Sequence, residues 1–192
     1  VRIAAETSMT VPDKDDPTSR RQVIAGLAVG VAMVASSRVR AEAAAGVVRN
    51  VDAIHQEVTF DAPPGRVYAL LTDQHEFQKV VALSGAAQSG KIKAGTAAHI
   101  GREAGSAFAI FGGFVVGRNI ELVPNTRLVQ AWRPQDWPAG VYSIVRFELL
   151  EHGGGTLLKF DHTGFPASDA DNLAQGWKLN YWQPMAAVLA RP

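Results

Sequence analysis

Cysteine is absent from the 192 residues, which excludes a disulfide framework, a thiol nucleophile and any cysteine-built metal site. An excess of charge of one sign is lacking too, since 19 Lys and Arg face 18 Asp and Glu. The stretch through Ala43 holds 6 and 5 of these, so the remainder balances at 13 and 13. A neutral domain with no basic run offers no electrostatic footprint for nucleic acid. No apolar run reaches the roughly 20 residues that cross a bilayer as a helix. The histidines, His55, His75, His99, His152 and His162, show none of the close pairings of a zinc-binding helix, and His75-Glu76 reads as a solvated surface pair. Ser106 and Ser143 stand outside any nucleophile-elbow context. The glycines at 101, 105 and 153–155 lack the strand-glycine-helix setting of a phosphate loop and read as turns. No catalytic residue, metal or cofactor is assigned.

What is present near the N-terminal end is an address. Ser19-Arg20-Arg21 leads into an uncharged apolar stretch at 23–36, then Arg38 and Arg40, then Ala41-Glu42-Ala43, which has the small-x-small form of a signal-peptidase site. At roughly 14 residues the apolar stretch is short of a membrane span. Residues 19–43 therefore read as a twin-arginine-type signal peptide, behind a leader extension at 1–18 that is rich in Asp, Pro, Ser and Thr and expected to be disordered. A linker at 44–52 and one domain at 53–190 follow. The implied location is the periplasm or cell envelope, with membrane contact confined to the signal peptide; an uncleaved leader acting as an anchor is the alternative. Removing the leader leaves about 149 residues, an ordinary size for one domain with a substantial core.

In that domain, Ile54, Gln56, Val58 and Phe60 alternate with His55, Glu57 and Thr59, the period of a strand with one covered face. Asp61-Ala62-Pro63-Pro64-Gly65 turns the chain, and a short helix follows with Val67, Tyr68 and Leu71 on one side. Asp73 with Glu76 three residues on resembles a capping box for a second short helix. Glycine-punctuated segments at 97–102, 107–122, 126–133, 142–150 and 156–163 then suggest an antiparallel meander, with Gly112-Gly113 and Gly117 marking a bulge or bend inside the longest. Ser168 and Asp171 are placed to cap a final helix beginning near Asp169, in which Leu173, Trp177 and Tyr181 recur at spacing four. Pro184 is expected to kink or end it. The order is α+β: one strand, two short helices, an antiparallel run and a long C-terminal helix.

On that order, the succession Trp132, Trp137-Pro138-Ala139-Gly140, Gly155-Thr156, His162-Thr163-Gly164-Phe165-Pro166, Gln175-Gly176-Trp177 and Tyr181-Trp182 resembles the START-like superfamily, also called SRPBCC. Within it the succession resembles the branch named for activation of the heat-shock protein 90 ATPase. The resemblance covers nearly all of 53–190 and is strongest in the second half. It implies a helix-grip fold of START-like or Bet v 1-like type, a curved antiparallel sheet wrapped around the C-terminal helix with an apolar cavity between them. It does not imply one reaction.

Strand parity puts His162 on the same face as Leu158 and Phe160, opposite Lys159 and Asp161. A buried histidine must be hydrogen-bonded; a core histidine joining sheet to helix, a ligand contact and a catalytic acid or base all remain open. Asp161 and Glu148 are expected on outward faces. Arg118 would reach the cavity if Phe114, Val116, Arg118, Ile120 and Leu122 share its face, and solvent if Gly117 shifts the register, which is the favoured reading. Phe108, Phe111, Phe114, Trp132, Trp137, Tyr142, Trp177, Tyr181 and Trp182, with His162, are the candidate ligand-binding residues, because small-molecule pockets are apolar and aromatic with a few placed polar groups. The same aromatics serve equally to fill a core. The expected function is non-catalytic binding of a hydrophobic small molecule, lipid-like or polyketide-like, in the envelope. The alternatives are an enzyme of cyclase, dehydratase or hydrolase type in the same cavity, with His162, Arg118 or Tyr142 as working groups, and a module that engages a protein client.

Overall fold

A computed structural model describes residues 53–93 and 95–191. The leader extension, the signal-peptide pattern and the linker to residue 52 lie outside the described residues. Among the described residues no helix is long and apolar enough to cross a membrane.

The alternating segment forms β1 (Ile54–Phe60), and the proline turn opens α1 (Pro64–Thr72), where Pro64 occupies a first-turn position that needs no N–H. Val67, Leu70 and Leu71 are its buried face, while Tyr68 is half-buried. Asp73 caps α2 (Gln74–Leu83), accepting from the His75 and Glu76 amides at 2.8 and 3.1 Å. Those two amides, the stronger contribution coming from Glu76, hold the Asp73 carboxyl below its ordinary range. The expected box is only half made: Glu76 pairs with Lys79 at 2.5 Å, and the Asp73 amide bonds the Ala69 carbonyl instead. A one-turn helix, α3 (Gly85–Gln88), follows.

Six further strands complete one antiparallel sheet: β2 (His99–Ile100), β3 (Ala107–Ile110), β4 (Val115–Val123), β5 (Arg127–Pro134), β6 (Ser143–His152) and β7 (Gly155–Thr163). Their order is β1-β7-β6-β5-β4-β3-β2, so β1 returns to pair with β7, Ile54 opposite His162. The long strand expected at 107–122 is two strands. Phe111, Gly112 and Gly113 have φ of 53°, 70° and 85°, and three successive left-handed residues reverse the chain into a hairpin rather than bend it. Asn119 and Gln130 face inward on β4 and β5 and bond to each other at 2.9 Å. The true bulge in β4 lies between Asn119 and Glu121. Val115, Gly117 and Asn119 point inward, and Arg118 is exposed, donating to the Gly105 carbonyl at 2.7 Å.

After a 3₁₀ turn (Ala167–Asp169), the C-terminal helix runs as α4 (Ala170–Trp177), a π turn (Lys178–Trp182) and α5 (Gln183–Leu189). Ser168 is not its cap: its hydroxyl bonds the Asp169 carboxylate at 3.0 Å, and that carboxylate takes the Trp137 indole N–H at 2.6 Å. Pro184 neither ends nor breaks the helix. The Gln183 amide reaches back five residues to Lys178, and this widened turn accommodates a residue that has no N–H and whose ring would crowd the preceding turn.

The sheet, α1, α2 and the C-terminal helix enclose one core, with Phe60, Val67, Leu70, Phe77, Phe147, Leu158, Phe160 and Met185 at 2% exposure or less. Gly117 is required by that packing. A Cβ there would lie 2.0 Å from the Ala131 carbonyl oxygen and 2.4 Å from the Phe108 ring. Gly117→Ala is expected to lower stability by about 3 kcal/mol, the upper range for overpacking, measured as the urea midpoint against the parent chain; an unchanged midpoint would refute the contact.

Candidate aromatic cleft

Tryptophan packs where the sheet's inner face meets the helix. The Trp177 ring from α4 lies 4.4 Å from Phe160, 5.4 Å from Trp132 and 4.3 Å from Tyr181, centroid to centroid, and stacks on Trp182 at 5.7 Å and 19°. Rings of this size fill the space that the helix-grip expectation reserved for a ligand. One void between sheet and helix, beside Phe77, Phe108, Leu128, Gln130 and Phe147, measures about 10 Å³, room for about one water. The apolar cavity expected between sheet and helix is therefore closed by its own lining.

The larger concavity lies at the side of this cluster. A solvent-open cleft of about 940 Å³ runs between the α3 segment, the β3–β4 hairpin, the loop after β5 and the outer face of α4 and the π turn. Phe111, Phe114, Trp132, Trp137, Trp177 and Tyr181 come together on it. Phe111 holds its left-handed backbone because its ring packs edge-on against Phe77 at 5.6 Å and Tyr181 at 5.5 Å. Phe114, 49% exposed, stands at the hairpin tip.

The other expected residues lie elsewhere. Phe108 covers Gly117 and faces the small internal void. Tyr142 is 47% exposed and outside the cleft, because the chain from Pro138 to Val141 closes a turn by a 3.1 Å backbone bond that leaves Tyr142 outside the sheet. Trp182 turns toward β1, donating to Gln56 Oε1 at 2.5 Å. His162 is fully buried and does not line the cleft.

The surroundings of His162 decide its chemistry. The Trp177 indole N–H donates to Nδ1 at 3.0 Å, so the ring proton sits on Nε2, which donates to Ser143 Oγ at 2.7 Å; Ser143 in turn donates to the Trp132 carbonyl at 2.9 Å. Both ring nitrogens are occupied, and burial pushes the imidazole pKa down to about 3. Ser143 points its proton away from the imidazole, so the pair cannot act as nucleophile and base. It is a hydrogen-bonded tie between helix and sheet. On the outer face of the sheet Asp161 bonds His55 at 2.8 Å and Arg146 at 2.8 Å. Among the described residues no group of three His, Asp or Glu is placed to hold a metal ion.

Residues that were not expected complete the cleft. Asn180 accepts the Ala86 amide at 2.9 Å, joining the π turn to α3 and shaping one wall. Asp169 fixes Trp137 against the start of α4. Pro184 was the available signal for the π turn, but the partner of Asn180 is 94 positions away in sequence and is set only by folding.

The folded pKa of His162 lies below its unfolded value of 6.5, so the unfolded chain binds the additional proton and stability falls as pH drops from 6.5 toward 3. One such group removes about 2 kcal/mol between pH 7 and pH 5. His55 acts oppositely: its hydrogen bond to Asp161 raises its pKa, so its contribution is complete below pH 6.5 and is lost as pH rises through the raised value. Urea unfolding at pH 7 and pH 5 is expected to show the His162 loss, and His162→Gln to abolish it; an equal slope in the variant would refute the assignment.

Residues 61–190 match the family described as Activator of Hsp90 ATPase homolog 1-like protein. The mouse Activator of 90 kDa heat shock protein ATPase homolog 2 is 25% identical over 71% of this chain and 38% of its own length. The human homolog 1 is 30% identical over 41% of this chain and 23% of its own. The chain thus spans well under half the length of these curated relatives. Among solved structures, an HSP90 activator from Plasmodium falciparum superposes with a TM-score of 0.63 at 21% identity, over 73% of this chain and 97% of that one. CalU16 from Micromonospora echinospora superposes with a TM-score of 0.58 at 20% identity, over 73% and 78%. At those identities the structures establish the shared helix-grip fold. Matched across most of its length, the chain belongs to the Activator of Hsp90 ATPase homolog 1-like family.

Proposed function

We propose that this domain binds a hydrophobic small molecule, without catalysing a reaction on it, in the open aromatic cleft rather than inside the sheet-helix core, and that it works outside the cytoplasm. The observation that carries the reading is the cleft itself. Its volume of about 940 Å³ falls in the range of roughly 300–1,000 Å³ typical of ligand sites, and its walls bring together Phe111, Trp132, Trp137, Trp177 and Tyr181 with a few polar groups at the rim. Such a site transfers apolar surface out of water at about 25 cal/mol per Å². The absence of catalysis is supported by His162, whose nitrogens are both engaged away from the cleft. The twin-arginine pattern at 19–43 supports export.

Native mass spectrometry of the chain purified from its own envelope fraction is expected to show a stoichiometric adduct of a few hundred daltons. A protein that is empty, and whose cleft tryptophan fluorescence is unmoved by a panel of apolar ligands, would count against the reading. For the location, a reporter fused after residue 43 is expected outside the cytoplasm and to be retained inside when Arg20 and Arg21 are both replaced by lysine; indifference to the pair would remove the twin-arginine route.

A second reading is a protein-interaction module. It is favoured by the relatives named as HSP90 activators and by exposed apolar side chains, Phe114 and Leu179 at the cleft and Ile120 and Ile144 on the outer sheet face. A rise in the ATPase rate of an Hsp90 on adding this chain would support it over the first.

A further inference from the structure

We infer that one half of the outer sheet face, built by β3, β4, β5 and the start of β6, docks a protein partner through a segment that carries carboxylates among apolar side chains. This face is separate from the cleft, which neither Arg118, Ala131 nor Ile144 lines. Arg118 on β4 stands opposite Ala131 on β5, and Arg133 on β5 stands opposite Val116 on β4. The two arginines are therefore diagonal neighbours on one face of the sheet, with Cα atoms about 7–8 Å apart. Ala107 and Ala109 continue the two rows on β3, and Ile144, 40% exposed, continues one of them on β6.

Neither arginine is matched by an acid of its own chain. Arg102, Arg127 and Arg146 each reach a carboxylate, whereas among the described residues Arg118 and Arg133 reach none. Arg118 is exposed and commits one nitrogen to the Gly105 carbonyl at 2.7 Å, which leaves Nε and Nη2 unbonded. Arg133 is half-buried: Nη2 donates to the Trp137 carbonyl at 2.6 Å and Nε is enclosed, so Nη1 is its free donor. Glu121, on the same strand as Arg118, is held by Arg127 at 2.7 Å. Glu103 and Asp136, in the flanking loops, form no ion pair with either arginine among the described residues. The other half of the face is arranged differently. There the cross-strand row Arg127, Glu148, Lys159, Glu57 alternates in sign, and Glu148, Glu57 and Asp161 each meet a base at 3.4 Å or less. The sheet neutralises itself on one half and leaves two unmatched guanidiniums over an apolar floor on the other.

Shape and sign define the occupant. Ala109, Val116 and Ala131 give that floor no depth, whereas small-molecule sites are concave, so the fit is to the surface of another macromolecule. An anionic bilayer is the poorer match, because it is held by clusters of about 4–8 basic residues, and the acids of the adjoining rows would be pressed against like charge. A protein segment covers only the half that suits it. Arginine and tyrosine are the residue types that anchor such contacts, and Tyr142, 47% exposed, precedes β6 at this corner. Carboxylates take the guanidinium fork by paired hydrogen bonds, while apolar side chains beside them cover Val116 and Ile144.

The test titrates a soluble peptide of glutamates and leucines into the chain, beside its counterpart with glutamine in place of glutamate, and follows the backbone amides by NMR. The acidic peptide is expected to bind about tenfold more tightly, to weaken as salt rises, and to move the resonances of Val116, Ala131 and Ile144 while those of the cleft stay still. Arg118→Gln, an exposed change that spares the fold, is expected to remove most of the preference. Ile144→Glu, which sets a carboxylate into the patch and leaves both arginines in place, is expected to abolish it, and Lys159→Gln on the other half to leave it intact. Equal binding of the two peptides, or a preference that survives Ile144→Glu, would overturn the inference. So would binding to phosphatidylglycerol vesicles that Arg118→Gln abolishes while the two peptides bind alike, since the patch would then serve a membrane. The cleft reading is tested with apolar ligands and stands or falls separately.

Discussion

The fold hangs on the contact between Trp177 and the inner face of the sheet. One indole ring packs on Phe160 and Trp132 and also donates to His162, which continues through Ser143 to the backbone of β5. Apolar burial supplies most of the energy, but it does not fix where along the sheet the helix sits. The hydrogen bonds do, because each partner would be left unsatisfied in a dry interior if the helix slid by a turn. A second bond set, in which Gln56 accepts from the Trp182 indole and donates to the Ala174 carbonyl, repeats the arrangement one strand further on at β1. Helix and sheet are held at two points.

That registration has a consequence for binding. A helix drawn down onto the sheet by Trp177 and Trp182 leaves almost no interior space, so the aromatic content that suggests a ligand chamber is consumed largely in closing it. The π turn then becomes the means of making a site at the side. It widens the helix ahead of Pro184, presents Asn180 to the start of α3 and leaves Tyr181 between the core and the cleft. The strained Phe111 forms the facing wall. Strain and irregular helix thus meet at one concavity, as they commonly do where a fold accommodates function.

The family likeness and the cleft bear on different levels. Membership fixes the helix-grip scaffold, while function rests on the site that a given chain builds on it. In this chain the histidine that the strand pattern placed inward carries no reactive geometry, since its tautomer is dictated by the Trp177 donor. The charged groups worth noticing, Asp161, Arg146 and His55, form a ladder on the opposite face of the sheet.

Much of the architecture could be read from residues alone, because it follows from local periodicity. The alternation in β1, the capping Asp73, the first-turn Pro64 and the spacing of Leu173, Trp177 and Tyr181 act over a few positions. The split of the 107–122 segment was missed because Gly112-Gly113 is compatible with both a bend and a reversal, and the left-handed Phe111 that decides between them is held by Phe77 and Tyr181. The site was legible only as a pool of aromatics. Which of them fill the core and which face the cleft depends on side chains more than a hundred positions apart in some cases, such as Trp182, whose indole donates to Gln56. Sequence by itself determined most of the elements, their order and the inward strand parity of His162, through nearest-neighbour sterics and apolar pattern. Only the tertiary structure decided that the Trp177 cluster packs the space between sheet and helix and that an open cleft lies beside it, because cavity shape is a property of chain segments brought together by folding.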